Sequence, residues 1–331
     1  MTSAGDVFRI ADLAVPPGQV GLGAFRAAYL QDSSPVDIPL IVVNGAHEGP
    51  VLWLDAAMHG PEVVGAEVIR RVTRETLDPA ALRGVVVAAP ILNPLSYLVH
   101  DYHTPQDNYN LNRVFPGNPN GLLSQRLAHL ILQEGIMRAD YVVSMHANPR
   151  PALMFTLVHA GDDATSAKAQ EMAEAFGLTV INVVTTLEPH RTGTIADSAM
   201  AAGKPAIVVE LVPWRQVDEE GTQAGVRGVL NVMKRLGMID GAVEPQSGVT
   251  TLPGRLTRTE AMATKGGLVT FTRRLADPVR TGEIIALLRN PHGDVVEEIA
   301  SPVDGWILAY PMMHNQAAAT GDFVAFLALE A

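Results

Sequence analysis

Cysteine is absent from this 331-residue chain. Its absence excludes disulfides and thiolate metal ligands, so any bound metal must be held by His, Asp, Glu and water. It leaves the redox compartment undecided. Long hydrophobic runs are missing as well: none reaches the roughly 18 to 20 residues that a membrane span requires, so no membrane association is expected. The start, Met1-Thr-Ser-Ala-Gly-Asp, has neither a basic stretch nor an apolar segment. No signal peptide is read there, and a cytoplasmic location is expected. Basic residues are in short supply, 24 against 35 acidic ones, for a formal net charge of −11. A surface of that sign repels phosphate backbones and argues against nucleic acid as a partner. The chain shows no tandem repeat and no low-complexity tract. What it does have is 47% apolar and 18% charged residues, a composition that suits a compact globular protein.

The apolar pattern alternates between strand-like and helix-like stretches. Residues 38–43 and 51–57 read as strands separated by a turn at Asn44–Pro50. Past Met58 the period changes: Pro61 suits a first helical position, and Val63, Val64, Ala66, Ile69 and Val72 follow one helical face. Val85–Ala89 is a short all-apolar run, the pattern of a strand buried on both faces. A helix is expected over Leu122–Gln133, with strands at Tyr141–Met145, Met154–Val158, Thr179–Val184 and Ala206–Leu211. Further helices are expected near 165–176, 195–202 and 219–236. Such alternation predicts an α/β fold whose sheet is mixed, largely parallel and flanked by helices. After about residue 240 the pattern becomes all-β, with runs at Gly267–Phe271, Ile284–Leu288, Val295–Ile299, Gly305–Leu308 and Phe323–Leu329. The linker is expected around Gly241–Pro253, and the segment beyond it reads as a separate module of about 80 residues.

Three features carry chemistry. His59-Gly60-Pro61-Glu62 lies where a strand gives way to a helix, the place where open α/β sheets hold their ligands. A His and a Glu three apart across that turn can face one ion, with Gly60 allowing the bend between them. The alternative is a turn histidine beside a glutamate that favours the helix dipole. A third ligand is needed, and His146 closes the strand Tyr141–Met145 at the same sheet edge. His47, His100, His103, His159 and His190 are further candidate neighbours, while His129, His292 and His314 read as structural or surface residues. Glu210 sits near the end of Ala206–Leu211, where a carboxylate in an apolar run is unfavourable unless paired or functional. Desolvation there would raise its pKa and suit it to act as a general base; the alternative is a strand-end Glu facing solvent. Last, Asn112 and Arg113 are adjacent in the turn-rich run Asn110-Leu-Asn-Arg113-Val-Phe-Pro-Gly117. Together they can clasp a carboxylate, Arg113 bidentately and Asn112 through its amide, although such a pair in a loop is commonly only surface.

His-Gly-Pro-Glu at 59–62, Asn-Leu-Asn-Arg-Val-Phe-Pro-Gly at 110–117, the strand-end His146 and Gly203-Lys-Pro-Ala-Ile-Val-Val-Glu210 occur in that order. The ordered set resembles the succinylglutamate desuccinylase/aspartoacylase family, a branch of the zinc carboxypeptidase fold. Within it, the chain looks closest to bacterial N-acyl amino acid deacylases such as the N-acetyl-diaminobutyrate deacetylases. The motifs span residues from about 38 to 215, and the C-terminal β module resembles the barrel-like domain of these proteins. The resemblance implies a zinc hydrolase domain over 1–243 and a β-rich, barrel-sandwich-like domain over 244–331. It implies His59, Glu62 and His146 as ligands of one zinc per chain, Glu210 as general base, and Asn112 with Arg113 as the clasp for the substrate carboxylate.

Three positions depart from the family's pattern. Ser144 stands where relatives often have Asp. Residues 101–107 lack the arginine that usually polarises the scissile carbonyl, which leaves His103 as its candidate substitute. His146 is followed by Ala-Asn-Pro-Arg in place of a small Ser/Gly-rich run. The expected activity is hydrolysis of the amide of a small, carboxylate-bearing N-acyl amino acid. A zinc carboxypeptidase acting on peptides, and a degenerate ligand-binding protein without turnover, remain as alternatives. A lipoyl- or biotinyl-type carrier role for the β module is disfavoured, because its only lysine is Lys265 and Tyr310–Asn315 contains none. The exposed module also offers a surface for homo-oligomer formation.

Overall fold

The computed structural model describes residues 6–184, 192–311 and 316–331. A hairpin of β1 (Phe8–Ile10) and β2 (Leu13–Val15) precedes the long strand β3 (Gln19–Tyr29). The α/β part follows: β4 (Pro35–Asn44), β5 (His47–Ala56), α1 (Val64–Arg71), β6 (Arg83–Ala89), α2 (Pro94–Val99), α3 (Leu123–Leu130), β7 (Tyr141–Ala147) and β8 (Phe155–His159). It continues with α4 (Ala164–Phe176), β9 (Thr179–Val183), α5 (Ile195–Ala201), β10 (Ala206–Leu211) and α6 (Glu219–Arg235). The rest of the described chain is strands: β11 (Leu256–Met262), β12 (Gly267–Phe271), β13 (Pro278–Val279), β14 (Ile284–Arg289), β15 (Val295–Ala300), β16 (Gly305–Ala309), β17 (Ala317–Ala318) and β18 (Phe323–Glu330).

One twelve-stranded sheet runs β13-β16-β18-β11-β9-β8-β10-β7-β5-β6-β4-β3. Its centre is largely parallel: β9 with β8, β10 with β7, β7 with β5, and β5 with β6. Towards both edges the pairing turns antiparallel. Alternate residues of β5 feed opposite faces, Leu52 and Leu54 entering one core and Val51 and Trp53 the other. Helices α1, α4 and α6 close the first face through Val68, Phe176 and Val232, while α3 and α5 close the second through Leu127 and Ile195. A strand covered on both sides reads as unbroken Val, Leu and Ala, which is why the central strands are legible from their runs alone.

The C-terminal strands do two things. Strands β11, β18, β16 and β13 prolong the large sheet, with β11 joining β9 in parallel through Leu256↔Ile181 and Thr257↔Asn182. Strands β15, β14, β12 and β17 form a separate four-stranded sheet, and a third core of residues such as Ile285, Leu288, Ile307 and Leu327 lies between them. The expected strands from 267 onward are present, as is the absence of helix among the described residues past 240. Strand β11 was not expected, because Leu-Thr-Arg-Thr-Glu-Ala-Met carries Arg258 and Glu260 where a buried strand would be apolar. None of the described helices is long and apolar enough to cross a membrane.

Candidate metal centre and its cavity

Because β5, β7 and β10 run parallel, their C-terminal ends meet at one edge of the sheet. In register, Glu210 lies beside His146 and Asp55 beside Ser144. Past β5 the backbone turns at Ala57, in the left-handed region at φ 49°, and delivers His59 to that edge. A non-glycine residue held there carries strain of about 1 kcal/mol or more, which the surrounding packing must sustain. Gly60 was expected to supply the bend. Its role is instead one of space, since a Cβ added there would come 2.1 Å from the Ser96 carbonyl oxygen. The Gly60 N–H donates to Ser96 Oγ at 2.7 Å, which locks the ligand turn onto α2.

His59, Glu62 and His146 are buried, at 2%, 3% and 4% exposure, and present donor atoms that all lie within 4.8 Å of one another. Glu62 Oε1 lies 2.9 Å from His59 Nδ1, and Oε2 lies 2.7 Å from His146 Nδ1. Burial alone would raise the Glu62 carboxyl, but the attraction and hydrogen bonds of the two imidazoles outweigh it and hold it below the ordinary range. Burial pushes His59 down. It would also lower His146, yet Glu62, with Glu210 and Asp55 further away, holds that imidazole above its usual value. Two imidazoles and one carboxylate converging in a buried pocket are the donor set of a three-ligand divalent metal site. The outer nitrogen of His59, Nε2, is 3.0 Å from Asn110 Oδ1. With the proton on Nε2, that bond fixes the tautomer and leaves Nδ1 free to ligate.

A second layer lies beneath the candidate ligands. Asp55 is fully buried and accepts from Ser144 Oγ at 2.7 Å and from Trp53 Nε1 at 2.8 Å. Burial pushes its carboxyl up to about 6 against the opposing effect of Ser144, His146 and Trp53. Ser144 is thus bonded to an aspartate from the neighbouring strand. Sequence reading missed Asp55, since a single acid ending an apolar run looks like any strand terminus.

The seven candidate site residues all border one cavity of about 380 Å³. Asn112 is buried, its Oδ1 accepting from the Ile195 N–H at 2.9 Å, with Nδ2 3.4 Å from His146 Nε2. Arg113 anchors one guanidinium nitrogen on the Asn112 carbonyl at 2.6 Å. Glu210 is half-buried and receives Asn148 Nδ2 on Oε2 at 2.9 Å. His103 stands at the exposed rim. Among the other histidines, His159 lines the cavity and lies 3.5 Å from Asp197. His47 and His100 are exposed and lie outside the cavity lining, and His190 and His314 fall outside the described residues. Sequence reading also missed Tyr102, stacked on His59 at 3.8 Å between ring centroids, together with Trp214, Asn148 and Arg258. The small hydrophilic run after His146 could have pointed to Asn148; nothing local marked Arg258.

The profile of the succinylglutamate desuccinylase/aspartoacylase catalytic domain matches residues 48–236. The N-alpha-acetyl-L-2,4-diaminobutyric acid deacetylase of Halomonas elongata is 28% identical over 259 residues, covering 76% of this chain and 73% of that protein. A crystal structure of a succinylglutamate desuccinylase/aspartoacylase from Rhodobacter sphaeroides superposes with a TM-score of 0.83 at 28% identity, over 94% of this chain and 95% of that one. The product-bound ectoine utilization protein EutE (DoeB) of Ruegeria pomeroyi shares the fold, with a TM-score of 0.84 at 22% identity over 95% and 97% of the two chains.

Proposed function

The chain belongs to the succinylglutamate desuccinylase/aspartoacylase family, and from that membership and the site geometry we propose that it is a metal-dependent deacylase cleaving the amide of small N-acyl amino acids. The observation that carries this reading is the strand register that sets Glu210 beside His146, on the wall of a cavity that Arg113 also lines. A general base, a metal triad and a carboxylate-binding cation then share one space.

His59, Glu62 and His146 would hold the metal, and zinc suits the donors, although two imidazoles and a carboxylate also accept cobalt, manganese or iron. When bound, zinc supplies Lewis acidity, polarising an amide carbonyl and acidifying a water molecule. Glu210, oriented by the Asn148 amide, takes the proton of the attacking water and passes it to the departing amine. Arg113 receives the carboxylate of the amino acid, its fork fixed by the bond to the Asn112 carbonyl. Asn112, with its oxygen tied to Ile195, turns its NH₂ towards the centre and the bound substrate. His103 takes the place of the family's upstream arginine at the acyl oxygen, as a weaker and more exposed donor. The substrate is small, soluble and carboxylate-bearing.

Glu210→Gln tests the assignment. Elemental mass spectrometry should find the variant still holding about one zinc per chain, while turnover of N-acetyl amino acids falls 10²–10⁴-fold. Near-normal turnover with metal retained would remove Glu210 from the mechanism. Turnover of C-terminal dipeptides but not of N-acetyl amino acids would move the reading to a carboxypeptidase.

A further inference from the structure

Three aromatic rings stand in a row on the wall of the cavity. The imidazole of the candidate ligand His59 and the phenol of Tyr102 are nearly parallel, with 3.8 Å between centres and 13° between planes. On its other side Tyr102 meets the indole of Trp214 at 5.9 Å and 29°. The rings come from three separate places: the turn after β5, the loop after α2 and the loop after β10. All three residues line the cavity.

The backbone builds this row. Asp101, next to Tyr102, accepts on its carbonyl from the Gly60 N–H at 2.9 Å and from Ser96 Oγ at 2.7 Å. Tyr102 is therefore tied to the same turn that carries His59. Two residues on, Thr104 is buried, its Oγ1 accepting from Asn93 Nδ2 at 2.9 Å and its N–H donating to the Tyr109 carbonyl at 2.9 Å. At the outer end, Trp214 Nε1 donates to the Ala147 carbonyl at 2.5 Å, and Ala147 follows His146 in β7. Neighbours of both candidate histidine ligands thus hold the row at its two ends.

The stack restrains a motion that the bonds in the plane of the ring leave open. An imidazole can turn about its Cβ–Cγ bond, and a modest rotation aims Nδ1 away from an ion. Glu62 Oε1 meets His59 Nδ1 at 2.9 Å. That bond is lost on metal binding, because Nδ1 then gives its lone pair to the ion. Asn110 Oδ1 pins only the far edge of the ring, at Nε2. A ring lying flat on Tyr102 cannot tilt without breaking the stack. Ligation also makes the imidazole more positive, and the face of a phenol is its negative side, so the contact strengthens when metal is bound.

We propose that Tyr102, backed by Trp214, is a positioning residue that holds the His59 ring in the plane from which Nδ1 ligates the metal. The inference rests on the metal site of the deacylase reading and adds to it a residue acting through His59.

Tyr102→Phe keeps the ring, and Tyr102→Leu removes it. In competition with a chromophoric chelator, zinc should bind Tyr102→Leu roughly tenfold more weakly than wild type, and Tyr102→Phe within about twofold. The visible d–d band of the cobalt-loaded protein reports ligand geometry. It should superpose for wild type and Tyr102→Phe and shift for Tyr102→Leu. In chelator, the His59 ring protons, assigned by their absence in His59→Gln, should resonate upfield under the phenol face in wild type and Tyr102→Phe but not in Tyr102→Leu. Equal zinc affinities and cobalt bands in all three proteins would overturn the proposal. So would equal losses in Tyr102→Phe and Tyr102→Leu, which would assign the effect to the hydroxyl. A lower melting temperature of Tyr102→Leu in chelator beside an unmoved cobalt band would make Tyr102 merely structural. Tyr102→Met supplies the same comparison if Tyr102→Leu fails to fold. Wild type is loaded first: uptake of neither zinc nor cobalt would sink the metal reading and this inference together, whereas uptake without the variant differences sinks this inference alone.

Discussion

Asp55 offers a quantitative test of the layer beneath the candidate metal centre. Burial pushes its carboxyl up to about 6, from an ordinary value of 3.8, outweighing its bonds to Ser144 and Trp53 and the attraction of His146. That gap corresponds to roughly 3 kcal/mol at about 1.36 kcal/mol per pH unit. The folded pKa is the raised one, so the folded state holds the proton more tightly than the unfolded chain does. Well below the ordinary value of 3.8 both states are protonated and Asp55 imposes no penalty. As pH rises to 6 and beyond, the unfolded chain ionises first, and folding loses up to about 3 kcal/mol. Asp55→Asn keeps the shape but cannot ionise. Urea denaturation of both proteins in chelator, from pH 4 to 7, should show the stability of wild type falling by roughly 2 to 2.5 kcal/mol relative to the variant, the rest of the loss lying outside that range. Chelator keeps proton competition at the ligands out of the comparison. A difference that stays flat across that range would refute the claim that burial dominates at Asp55; a difference of opposite slope would mean that the Ser144 and Trp53 bonds win.

Other expectations follow from the same geometry. Gly60→Ala places a Cβ 2.1 Å from the Ser96 oxygen, so the ligand turn must shift. Stability should drop by about 1–3 kcal/mol in a denaturation curve and zinc affinity should weaken, whereas unchanged metal affinity would show that the turn is pliable. Arg113→Ala should raise KM for carboxylate substrates by about tenfold or more with metal content intact, and lost metal would make Arg113 structural. Asn148→Leu removes the donor on Glu210 Oε2. It should lower kcat more than it raises KM and shift the acidic limb of the pH–rate profile upward, because the carboxylate loses a bond that favours its charged form. An unmoved profile would mean that Asn148 does not orient the base.

Much of the candidate site was legible because its residues stand at places the chain marks locally. His59 and Glu62 bracket a strand-to-helix transition, and His146 and Glu210 each close a short apolar run. Parallel strands end at the same edge, so these residues had to come near one another once the α/β alternation was read. The N-terminal strands β1 to β3 were not read, since Gly, Ala and charged residues interrupt them and part of β3 faces water. Strand β11 was hidden by the Arg and Glu that make it interesting.

By itself, the sequence determined the alternation of elements, the strand ends that carry His59, His146 and Glu210, and the donor chemistry available in a chain without cysteine. Only the tertiary structure decided which distant residues meet. Asp55 lies under the centre because β5 and β7 pair with Asp55 level with Ser144, across 89 residues of chain. Arg258 reaches the cavity because β11 adds itself to β9, and Gly60 is required because α2 packs against its backbone. Local spacing encodes the period and the end of an element. Register and packing between elements far apart in the chain are set by the joint fit of whole faces, which no single segment records.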